Sequence, residues 1–171
     1  MSGENDVSFS SSVQSNNILV PLYIYPSPGA WDPLFKAIQN FHSVTFIIIL
    51  NPNNGPGSCD YKKQGDHNNT AVSLPDNNYI REILKLNSYA NVKTVGYVST
   101  RWAHREPHLA KSDVDIYSNW SKYPSPAPGL GVKGIFLDET VTQYSDSGEL
   151  YLKELTIFIR SEDNFGPDAL V

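Results

Sequence analysis

The segment Val-Thr-Phe-Ile-Ile-Ile-Leu at positions 44–50 restricts the fold more than any other part of the chain. It is too short for a buried helix, and almost every position is apolar or β-branched. Such a run forms a strand covered on both faces, whereas a sheet with one wet face would show strict alternation. The Asn51-Pro52-Asn53-Asn54-Gly55-Pro56-Gly57 stretch then ends it abruptly.

Three further strand-like runs lie at 18–25 (ILVPLYIY), 94–98 and 132–137. Helical spacing separates them. Asp32 reads as an N-cap before Pro33, with Leu34, Phe35, Ile38 and Phe41 on one face. Asp76 or Asn77 reads as the cap of a helix carrying Tyr79, Ile80, Ile83, Leu84 and Leu86. Further helices are expected at 113–120 and 149–160, with polar loops at 58–75 and 99–111 and a turn-rich linker, SKYPSPAPGLG. Short buried strands alternating with helices imply parallel pairing, hence an α/β fold. The polar loops follow the strands, which puts a site at the strands' C-terminal ends in a barrel or an open sheet alike.

Composition bounds the partners. A net charge of −5 with no Lys/Arg cluster argues against nucleic acid. No apolar run approaches the length of a membrane span. The opening MSGENDVSFSSSVQSNN is polar, lacks the apolar centre of a secretory signal and reads as a disordered tail over 1–17. The single Cys59 permits no internal disulfide and leaves the compartment open, as do the sequons at Asn68 and Asn119. No cofactor is implied. HREPH mimics a metal pair in His104 and His108, but Pro107 argues against a regular helix there and the acid is misplaced for a metalloprotease, so no metal is expected. NNGPG lacks the Lys-Ser/Thr ending of a phosphate cradle.

The candidate site residues cluster at strand ends. Asp138 and Glu139 directly follow the apolar Ile135-Phe136-Leu137. Adjacent strand residues face opposite ways, so both acids reach one pocket only if the strand ends between them. Otherwise Asp138 caps a turn and Glu139 is solvated. Tyr23 and Tyr25 alternate with Leu22 and Ile24 and share a strand face, and Asn51 and Ser99 end the next two strands. Tyrosines there would offer a sugar an apolar platform and a hydroxyl, or else sit in the core with the hydroxyl satisfied. Trp102 and Arg105 lie in the loop after the third strand, either at the pocket or, for Trp102, as a buried loop anchor. Trp31 reads as packing under the first helix.

Four ordered motifs, YPSPGAWDP, FIIILNPNNGPG, NSYANVKTVGYVSTRWAHR and GVKGIFLDE, make the chain resemble the spherulation-specific family 4 (spherulin-4-like) proteins. The resemblance implies a partial (β/α)8 barrel over 18–171, about the first half only, with Gly166-Pro167-Asp168-Ala169-Leu170-Val171 opening a fifth strand. The family is similar to glycoside hydrolases and includes secreted enzymes that cut α-1,4-linked N-acetylgalactosamine in galactosaminogalactan. It thus implies a polysaccharide partner and catalysis by Asp138 and Glu139, with another acid supplied by later strands. Glu139 is then the general acid, and Asp138 orients the sugar's acetamide in a substrate-assisted step. The alternatives are a non-catalytic, cell-surface polysaccharide binder or an incomplete gene product. A half-barrel is further expected to self-associate through its open edges or to cover one with its last strand.

Overall fold

The computed structural model describes residues 16–57, 59–61, 72–123 and 129–171. In chain order the elements are β1 (Asn16–Leu22), α1 (Asp32–Asn40), β2 (Val44–Leu50), β3 (Cys59–Tyr61), β4 (Val72–Leu74) and α2 (Asn77–Asn87). They continue with β5 (Val92–Ser99), α3 (Pro107–Asn119), β6 (Ile135–Asp138) and α4 (Asp146–Ser161). Strands β1, β2, β5 and β6 pair in that order, all parallel, as a curled half-barrel with helices between them. Among the described residues no helix is long and apolar enough to cross a membrane.

The alternation hidden inside 44–50 sorts the core into two layers. Phe46, Ile48 and Leu50 face the helices and pack with Ile38, Ile83, Val98, Val114, Leu155 and Ile159. Ile47 and Ile49 face the other way, onto the concave side, with Val95, Tyr97, Phe136 and Leu170. Burial on both sides is what makes β2 apolar without a break from Phe46 to Leu50.

Several boundaries differ from the sequence reading. Asn16 and Asn17 belong to β1, paired with Val44 and Thr45, so they are no part of a tail; positions 1–15 lie outside the described residues. β1 ends at Leu22, three residues early, because the Ile24 carbonyl accepts from Trp31 Nε1 (2.9 Å) and the Tyr25 carbonyl from Ser27 N–H (2.8 Å). Asp32 is the first residue of α1, with Trp31 as its N-cap and no side-chain cap bond. Asp76 does cap α2, accepting from the N–H groups of Asn78 and Tyr79. The 58–75 loop contains β3 and β4, an antiparallel pair concealed by its three-residue strands and the polar stretch between them. Pro107 opens α3 instead of preventing a helix, since its ring and missing N–H suit the first turn.

The expected fifth strand begins as one parallel bridge between Gly134 and Leu170. Ile135 N–H donates to Leu170 O and Leu170 N–H to Lys133 O, both at 2.9 Å. Gly134 has φ 147°, and a Cβ there would meet Leu170 O at 2.0 Å. Only glycine admits that approach.

Candidate functional site

The strand ends converge at one rim of the half-barrel. Ser99 and Asp138 are register partners closing β5 and β6. Asp138 shares the concave face with Phe136, two residues back on the same strand. The strand ends at Asp138, and Glu139 takes φ 53°. This left-handed turn undoes the alternation, and the Glu139 carboxylate accepts a hydrogen bond from Ser99 Oγ through Oε2. Asp138 Oδ1 accepts from Glu139 N–H at 2.7 Å. The condition for two adjacent acids to share a pocket is therefore met by the backbone.

The neighbouring loop is equally unusual. Arg101, Trp102 and Ala103 have φ of 48°, 54° and 62° in succession. Each left-handed, non-glycine residue costs roughly 1–2 kcal/mol, so four around one strand end need compensating bonds. Those bonds link the two segments: Thr100 N–H to Asp138 O (3.0 Å) and Trp102 N–H to Glu139 O (2.6 Å). The loop leaves the Trp102 indole 54% exposed.

A residue absent from the sequence-based candidates is central. Tyr97 alternates with Val95 and Ser99 on the concave face and is buried, with the Asp138 carboxylate close enough to act on its hydroxyl. Tyr23 meets it edge to face, ring centroids 5.8 Å apart, reaching across β2 from the end of β1. Burial first, then the nearby Asp138 carboxylate, raise the Tyr97 phenol well above its ordinary value; burial and then Asp138 raise Tyr23. The period-two pattern in VKTVGYVS was the signal that could have marked Tyr97, and the run reads first as a plain buried strand.

The raised phenols have a consequence for stability. A tyrosine whose folded pKa exceeds its unfolded value contributes stability that is present below the unfolded pKa, about 10, and is lost as pH rises through the folded one. Tyr117, buried in the helix-facing core, shifts the same way through burial. Denaturant melts at increasing pH should therefore show stability falling above about pH 10, less steeply in Tyr97→Phe. Equal alkaline slopes in both proteins would contradict the shift at Tyr97.

The other predicted residues are placed as follows. Tyr25 turns away from Tyr23: its hydroxyl accepts from Asn78 Nδ2 (2.8 Å) and its ring packs edge to face on Tyr79. Asn51 organises its own loop, Oδ1 accepting from Gly55 N–H (2.9 Å), while its carbonyl accepts from Tyr79 Oη (3.4 Å). Arg105 lies under the loop, donating to Ser99 O (3.0 Å) and pairing with Asp113 at 2.7 Å. The structure thus groups Tyr23, Ser99, Asp138 and Glu139, with Trp102 joined to them through its main chain. Tyr25 and Asn51 form a second group around Tyr79, which itself packs on the buried Trp31. Among the described residues no cluster of His, Cys, Asp and Glu is arranged to hold a metal ion.

With this geometry in hand, comparisons with known proteins agree among themselves. The family profile described as spherulation-specific family 4 matches residues 17–171. Spherulin-4 of Physarum polycephalum is 38% identical over 136 residues, covering 80% of this chain and 33% of that protein. The crystal structure of Aspergillus clavatus Sph3 in complex with GalNAc superposes with a TM-score of 0.78 at 41% identity. That match covers 92% of this chain and 56% of the other, so the chain spans about a third of one relative and about half of the other.

Proposed function

This chain belongs to spherulation-specific family 4, and on that premise we propose that it is a glycoside-hydrolase-type domain acting within N-acetylgalactosamine-containing polysaccharide. The observation that carries the reading is the Asp138–Glu139 turn, where a left-handed Glu139 brings two carboxylates to one side of a strand end. The sugar bound in the Sph3 crystal supports the ligand class. Glu139 serves as proton donor to the leaving oxygen. Asp138, held by the Glu139 N–H beside the Tyr97 phenol, faces the positive charge that develops at the anomeric carbon.

Chemistry argues against the substrate-assisted route for an α-linkage. In α-linked N-acetylgalactosamine the acetamide lies cis to the departing oxygen and cannot attack the anomeric carbon from behind. Protein carboxylates are the better fit, including any contributed by further strands of the barrel.

Tyr23 and Trp102, each about half exposed beside the acids, favour a second reading in which the rim binds polysaccharide without cutting it. Incubating the chain with an α-1,4-linked N-acetylgalactosamine polymer and assaying new reducing ends separates the two. New ends support hydrolysis; polymer retained on the protein with no new ends supports binding alone.

A further inference from the structure

We propose that Thr100 is a positioning residue, its hydroxyl holding the main chain of Asp138 and Glu139 in the turn that aims both carboxylates to the concave side. The inference rests on the reading of Glu139 as proton donor, although its geometry can be tested separately.

Thr100 is fully buried one residue past β5. Its Oγ1 lies 2.7 Å from Glu139 O and 3.0 Å from Asp138 O, and its N–H donates to the same Asp138 carbonyl at 3.0 Å. The hydroxyl has a single proton, so it shares that proton between the two carbonyls, with the shorter contact to Glu139. One side chain therefore spans the peptide on either side of the acid whose φ is 53°. Were Glu139 to relax to extended backbone, the alternation of strand residues would carry its side chain to the face opposite Asp138. Its bond to Ser99 Oγ would then be lost.

The surroundings make the hydroxyl separable from the fold. Without it, Asp138 O keeps the Thr100 N–H and Glu139 O keeps the Trp102 N–H, so neither carbonyl is orphaned. Thr100→Val preserves the shape of the side chain and its β-branch. What it removes is the side-chain restraint on the turn, leaving the two backbone bonds to hold it unaided.

The test compares Thr100→Val and Thr100→Ser with the unaltered 171-residue chain. Crystal structures give the Glu139 backbone conformation, and kinetics on an α-1,4-linked N-acetylgalactosamine polymer give kcat and KM. Thr100→Val is expected to release Glu139 from the left-handed region and to lower kcat roughly 100-fold with KM within about threefold. Thr100→Ser, which keeps the hydroxyl, is expected to hold the turn and restore kcat to within about threefold. A valine variant with Glu139 still left-handed and kcat unchanged overturns the proposal, as does a serine variant that fails to restore the turn. If the unaltered chain releases no product, the hydrolase reading fails by itself, and the Glu139 conformation in the two variants still decides the role of Thr100. Should the valine variant fail to fold, the serine variant decides: a folded serine chain with an extended Glu139 overturns the proposal, and one with the turn intact supports it.

Discussion

Glu139→Gln is expected to lower product release by roughly 100- to 10,000-fold while leaving the melting temperature unchanged to within a degree or two. The amide has the shape of the carboxyl and can still accept the Ser99 hydroxyl, so the turn and its bonds to Thr100 and Trp102 persist. What the amide cannot do is give a proton to the departing sugar oxygen. Proton donation by a positioned side chain is worth this range because the bare leaving group is a poor one at neutral pH. Reducing-end assays beside thermal melts check both halves. A glutamine variant with near-normal turnover would remove Glu139 from the chemistry, and one that melts much earlier would make the residue structural.

The second large effect lies in the core. Gly96→Ala is expected to destabilise the protein by about 3 kcal/mol or more, lowering the melting temperature by roughly 6–12 °C. A Cβ on residue 96 would lie 2.5–2.7 Å from three ring carbons of Tyr117. That ring has nowhere to move: it is fully buried, packs on Trp120 at 4.7 Å between centroids, and its hydroxyl donates to Leu50 O at 2.9 Å. Yielding space would break that bond or open the contact between α3 and the sheet. The double variant Gly96→Ala/Tyr117→Leu should lose less stability than the sum of its parts, because the smaller side chain removes the clash. Thermal melts of the three variants measure this, and strict additivity would mean that the two positions do not collide.

The parallel βα framework was legible because the residues of β2 are apolar on both faces, which few arrangements tolerate. The acid pair was legible for a related reason, since carboxyls directly after a buried run must surface at a strand end. The detail between those points was not. Three consecutive left-handed residues at Arg101, Trp102 and Ala103 contain no glycine or asparagine to announce them; bonds from a separate strand end hold them in place. Arg105 looked like a ligand contact because its partner Asp113 comes into reach only once α3 begins at Pro107, and proline read as a helix breaker conceals that start. Tyr25 followed the alternation of a strand that had already ended at Leu22. Tyr97 and Thr100 lie within one of the family-like motifs, but nothing in their residue types or spacing marks them out from their neighbours in it. Their importance comes from lying beside β6 in the sheet, a relation set by register across about 40 residues of intervening chain.

Proton NMR of a defined α-1,4-linked N-acetylgalactosamine oligosaccharide, followed in real time with the unaltered chain and with Glu139→Gln, is the most direct measurement. New reducing-end anomeric signals growing with the unaltered chain and absent with the variant are the predicted result, and the anomer that appears first reports whether configuration is retained or inverted. An unaltered, folded chain that produces no such signal, or a variant that produces it at the same rate, would contradict hydrolysis at the Asp138–Glu139 turn.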